Sequence, residues 1–141
     1  MNIESVIVGI GTGALTGFYT GLVTYRYGQF QEAKNQARLA LFKLTSPRAK
    51  DDDGSGQKHD AYVYVGQQAS SLTWLGHYEA ANELRGIASA IRKMTGSKLN
   101  TNEEFTQYRE WLKAVDSLRP SIRALFLFRG VPPPSGNVGT V

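Results

Sequence analysis

The segment Ser5–Tyr25 carries no charged side chain: Glu4 stands before it and Arg26 directly after it. As an α-helix these 21 residues extend ~31 Å, the thickness of a bilayer's hydrocarbon core. Gly9, Gly13, Gly17 and Gly21 recur at every fourth position, and Thr12, Thr16, Thr20 and Thr24 form a second row of the same period. At ~100° per residue the two rows lie side by side, giving a helix face of small side chains. The opposite arc carries Ile7, Val8, Leu15, Phe18, Tyr19 and Leu22. In water each interior glycine weakens a helix by about 1 kcal/mol relative to alanine. In lipid the same glycines allow close backbone approach, with dispersion and Cα–H···O contacts between helices and threonine hydroxyls at the seam. The segment is therefore expected to be a transmembrane anchor, residues 1–27. Its packing interface is Gly9, Gly13, Gly17 and Gly21 together with Thr12, Thr16, Thr20 and Thr24.

The same letters also fit a dinucleotide-binding turn, Gly9-x-Gly11-x-x-Ala14 after a β-branched run. That turn needs a parallel sheet and an acid about 20 residues downstream to hold a ribose. "GLVTYRY" and Glu32 could supply a strand and an acid, but nearly everything after Tyr27 has helical periodicity. A lone glycine fingerprint without its sheet does not carry the assignment. A cleavable signal peptide would begin with Lys or Arg, whereas Glu4 precedes this apolar run. Downstream, Arg26, Lys34, Arg38, Lys43, Arg48 and Lys50 outnumber Glu32, so the positive-inside tendency places the N-terminus outside and the body in the cytoplasm. Tyr19, Tyr25 and Tyr27 gather at the basic end, where aromatic rings favour the membrane interface.

The body, residues 28–128, is expected to be a small antiparallel helical bundle of about three helices, continuous with the anchor, so that the fold class is all-α. Phe30, Ala33, Ala37, Leu41 and Leu44 continue the anchor as one rod of roughly 40 residues, ending near Ser46-Pro47 because a residue before proline resists the α conformation. A flexible linker is expected over 46–60. Its Asp51-x-Asp53-Gly54-x-Gly56 has the opening spacing of a calcium loop but lacks the closing bidentate glutamate, so no metal is expected there. A second helix is expected from Asp60, as N-cap, to Thr95, with its seam on Val65, Ala69, Leu72, Gly76, Ala80, Leu84, Ile87, Ile91 and Met94. It contains Trp74, expected in the core first of all or else leaning on the membrane interface, and His77, expected on the surface or the seam. The third helix opens on Thr101-x-x-Glu104, a capping box, and should break near Arg119 ahead of Pro120. Leu125, Phe126, Leu127 and Phe128 cannot all share one helix face. They are expected to be buried first of all, or else to form a partner or membrane-surface contact. Residues 129–141, rich in Pro and Gly, are expected to be a flexible tail.

No cysteine is present, which removes thiol catalysis, thiolate metal sites and disulfides. The Trp74–Glu83 cluster has no ExxH or HExxH spacing, and no nucleophile–base pair emerges, so neither an enzyme nor a cofactor is expected. Net charge is +4, but Lys and Arg are spread among Glu on all three helices, which does not predict nucleic-acid binding. The sequence thus predicts a non-enzymatic single-pass membrane protein that oligomerises, or packs on another transmembrane helix, and presents a cytoplasmic docking scaffold for a protein partner. An alternative is a membrane-disrupting effector whose Gly/Thr faces line a pore. A structural part in a membrane assembly or membrane-containing virion is a further one.

Overall fold

The computed structural model describes residues 3–45, 55–95 and 101–126, with side chains described over 8–45, 56–95 and 102–126. All five elements are helices: α1 (Ile3–Leu44), α2 (Ser55–Trp74), α3 (Tyr78–Thr95), α4 (Thr101–Ser117) and α5 (Ile122–Phe126). Among the described residues there is no strand, and Gly9 to Ala14 lie inside α1, so no glycine turn exists to hold a dinucleotide. The linker residues 46–54, with the calcium-like spacing, the residues 96–100, and Leu127, Phe128 and the tail lie outside the described residues.

The expected rod is present. α1 runs 42 residues, ~63 Å, and stays helical through Gly28. Its C-terminal half buries Phe30, Ala33, Ala37, Ala40, Leu41 and Leu44, a three- and four-residue rhythm that forms one seam. α2 lies antiparallel to it: Lys43 sits 6.0 Å over the Tyr64 ring, and Phe30 meets His77 with ring centroids 4.8 Å apart. α3 returns beside α2 and buries Ala80, Ala81, Leu84, Ile87, Ala88, Ile91 and Met94. α4 runs in the direction of α2, since Lys58 pairs with Glu104 at 2.9 Å and Arg38 with Asp116 at 3.4 Å. Tyr108, Trp111, Val115 and Leu118 close the core. Eight of the buried positions on α1, α2 and α3 are alanines, namely Ala33, Ala37, Ala40, Ala61, Ala69, Ala80, Ala81 and Ala88, which lets the backbones approach closely.

Several expectations fail here, each for a local reason. The helix expected over 60–95 is a hairpin. Gly76 adopts φ 84°, the left-handed region an L-residue enters only at a cost of roughly 1–2 kcal/mol. The Gly76 N–H donates to the Thr73 carbonyl at 3.0 Å and the His77 N–H to the Leu72 carbonyl at 2.8 Å, the paired bonds of a Schellman stop. The His77 carbonyl then accepts the first bond of α3 from the Ala81 N–H at 2.9 Å, so one residue ends a helix and caps the next. The seam spacing Leu72–Gly76–Ala80 imitated continuity because the reversal happens to preserve the period. His77 is buried, at 1% exposure, which is the seam, one of the two places expected for it. Trp74 is the last residue of α2 and is 92% exposed, not in the core, because the turn ends the helix before anything can cover that side. α2 also begins at Ser55, within the expected linker, so Asp60 is an interior residue instead of an N-cap. α4 opens at Thr101 as expected, and the Glu104 carboxylate accepts from Lys58 and from the Tyr108 hydroxyl, 3.4 Å away. The break ahead of Pro120 occurs as expected, after Ser117.

The expected bilayer span does not meet a hydropathy criterion: among the described residues, no helix is long and apolar enough to cross a membrane. The reason is compositional. Five glycines and four threonines between Gly9 and Thr24 dilute Val8, Ile10, Leu15, Phe18, Leu22 and Val23.

Candidate helix-packing site

The N-terminal half of α1 projects beyond the bundle. Every residue from Val8 to Gly21 is exposed, a length of ~21 Å. Val8, Ile10, Leu15 and Phe18 are each 66–73% exposed. On one side runs a shallow groove lined by Gly9, Thr12, Gly13, Thr16, Gly17, Thr20, Gly21, Thr24 and Tyr25, so the two rows read from the sequence share a single concave face. A Cβ added at Gly9, Gly13, Gly17 or Gly21 would meet nothing within 4 Å. Nothing within this chain's own described packing therefore requires glycine at these positions.

The threonines behave differently from a simple row of free hydroxyls. Thr12 donates to the Val8 carbonyl and Thr16 to the Thr12 carbonyl, both at 2.8 Å. Back-bonding of this kind satisfies the hydroxyl proton within the helix and leaves the oxygen as an acceptor. A threonine so arranged is compatible with apolar surroundings, where an unpaired donor is costly.

Where α1 enters the bundle, α5 lies against it. The Tyr19 hydroxyl donates to the Phe126 carbonyl at 3.2 Å, and their rings lie 6.0 Å apart. Arg26 Nη1 donates to the Ala124 carbonyl at 2.8 Å. About two turns further, Lys34 Nζ donates to the carbonyls of Asp116 at 2.6 Å and Leu118 at 3.2 Å. These carbonyls end α4 and α5, where backbone acceptors lack helical partners and the helix dipole favours a cation. Three α1 side chains thus collar the C-terminal segment. None was singled out from sequence for this role, although their seven- and eight-residue spacing on one rod is its trace.

Of the apolar run expected to be buried, Leu125 is half-buried and Phe126 is 46% exposed, so the described part is not sequestered. Five residues of helix cannot turn successive apolar side chains inward, and only Ala124 is buried.

His77 ties the hairpin tip to this junction. Its Nδ1 accepts the Ser121 N–H at 3.0 Å, which leaves the proton of the neutral ring on Nε2. Nε2 is buried without a hydrogen-bond partner, while the ring packs edge-on to Phe30. Burial first, and then the charge of Arg26, lower the His77 pKa below 6.5. Tyr108 is pushed far above its ordinary value by burial and by the Glu104 carboxylate. Among the described residues no group of three His, Asp or Glu side chains could hold a metal ion. No family model, curated protein or solved structure matches this chain.

Proposed function

We propose that the protein is a non-enzymatic, single-pass membrane protein whose projecting helix packs on a second copy through the Gly9–Gly21 groove, carrying a helical docking domain on the cytoplasmic side. The observation that carries the reading is the uncharged, exposed ~21 Å of α1, apolar on one arc and concave on the other. Exposure of Val8, Leu15 and Phe18 to water forfeits about 1–2 kcal/mol each at two-thirds exposure, roughly 3–6 kcal/mol together. Lipid on that arc recovers this energy. The small face needs no lipid if another helix covers it, so the mean hydropathy of the isolated helix understates its fitness for a bilayer. Val6 and Ile7 further extend the uncharged stretch on its N-terminal side. The open space beside each glycine is room for a partner backbone.

The test is disulfide-independent crosslinking of the full chain in lipid vesicles, comparing the parent with Gly13→Leu/Gly17→Leu. Loss of the crosslinked dimer in the double variant is the expected result. Equal crosslinking would remove the groove as an interface, and a chain that stays in the supernatant when vesicles are floated would remove the membrane reading. Leakage of a trapped dye from parent vesicles would favour a pore over a packed pair.

A further inference from the structure

We propose that α5 is a membrane-surface helix, seated in the headgroup layer beside α1, with its apolar side chains toward the acyl chains and its arginines on anionic lipid phosphates. This rests on the reading of α1 as a membrane helix and adds a second, separate contact with the bilayer. The argument is positional. Tyr19 and Arg26 hold the carbonyls of Phe126 and Ala124, so α5 lies alongside the last two turns of the uncharged stretch, while Ser121 at its head is tied to the hairpin tip by His77. If Arg26 marks the edge of the hydrocarbon, Phe126, two helical residues beyond the Ala124 carbonyl that Arg26 holds, stands about 3 Å on the lipid side of it.

The side chains of α5 suit that depth. Ile122 is 74% exposed, and Phe126 presents half its ring outward. Arg119 and Arg123 are exposed, and residues 117–126 contain no acid, so the segment is uniformly basic on its open side. Interfacial helices combine apolar residues with Arg or Lys in this way, the long basic side chains reaching the phosphates while their stems cover apolar surface. The backbone is suited as well. A five-residue helix has more carbonyls without helical partners than it can satisfy, and unpaired carbonyls are costly near hydrocarbon. Two of them are satisfied from α1.

The chain has no cysteine, so single labels report without background. Ile122→Cys, Leu15→Cys and Ser70→Cys, each carrying a nitroxide, are placed in the full chain in vesicles of phosphatidylcholine with phosphatidylglycerol. Collision with oxygen, which concentrates in lipid, is compared with collision with a water-soluble nickel chelate. The Leu15 label should be lipid-like and the Ser70 label water-like, and the proposal expects Ile122 to resemble Leu15. Adding Arg119→Gln and Arg123→Gln should shift the seated-to-free balance of Ile122 by about thirtyfold toward water in anionic vesicles, at roughly fivefold per basic residue. It should change little in pure phosphatidylcholine. An Ile122 label that resembles Ser70 while Leu15 stays lipid-like overturns the surface-helix assignment and leaves the anchor standing. If Leu15 is water-like too, both fall. An unchanged Ile122 label after arginine removal overturns the phosphate contact.

Discussion

His77 makes folding stability depend on pH with a definite sign. The folded protein keeps the ring neutral, because it is buried, faces the charge of Arg26 and uses Nδ1 to accept the Ser121 N–H. The unfolded chain titrates near 6.5. Below that pH the unfolded state takes up a proton that the folded state resists. Stability contributed by the neutral ring is complete above 6.5 and falls as pH drops toward the lowered folded value. The limiting slope is about 1.4 kcal/mol per pH unit. For a bundle of this size that corresponds to roughly 5–10 °C in Tm per pH unit. Protonation would also turn Nδ1 from acceptor to donor against a backbone donor, so the hairpin tip and the α4–α5 junction should separate together. The assay is thermal unfolding followed by circular dichroism in mild detergent at pH 8, 7, 6 and 5, on the parent and on His77→Phe. Phenylalanine keeps an aromatic ring against Phe30 but cannot accept from Ser121. The variant should lose about 1–3 kcal/mol at pH 8, the cost of an unpaired buried N–H. It should also show a shallower decline between pH 7 and 5. If parent and variant decline in parallel over that range, His77 is not the group responsible.

Other substitutions test the packing with equal directness. Gly76→Ala should destabilise by roughly 1–2 kcal/mol in the same unfolding assay, since alanine must adopt the left-handed conformation that ends α2. Trp74→Ala should stay within about 0.5 kcal/mol of the parent, because the indole is exposed; a loss of several kcal/mol would mean the ring is in a core after all. Phe30→Ala, at a fully buried position, should cost about 3–5 kcal/mol. Lys58→Met should cost about 1–3 kcal/mol by leaving Glu104 without its cation, and Lys58→Met with Glu104→Gln should recover part of that loss in a double-mutant cycle.

The long helix and its seam were legible because Phe30, Ala33, Ala37, Leu41 and Leu44 repeat with the period of a helix and no proline interrupts them. The Gly/Thr groove was legible for the same reason: it is a property of one helix, and a four-residue period needs no tertiary information. Pro120 marked the end of α4 because its ring removes a donor and crowds the preceding turn. The hairpin at Gly76 was not legible from the apolar spacing. Its signal was chemical, a glycine followed by a residue able to cap, with Glu79 in the next first turn, and periodicity outweighed it. The exposure of Trp74 and the burial of His77 follow from that single reversal. The collar of Tyr19, Arg26 and Lys34 lay beyond sequence reading because its partners are backbone carbonyls some 80 to 110 residues away, and a carbonyl carries no residue-type signature.

The unbroken passage of α1 through Gly28 has a mechanical corollary. With no hinge to absorb torsion, the compass bearing of the groove is keyed to that of the bundle, as a notch on one end of a shaft is to a cam on the other. One alanine inserted after Gly28 would swing the bundle by ~100° about the axis relative to the groove, and would break the bonds from Tyr19 and Arg26 to α5. Two copies joined at their grooves would then present their bundles in new directions.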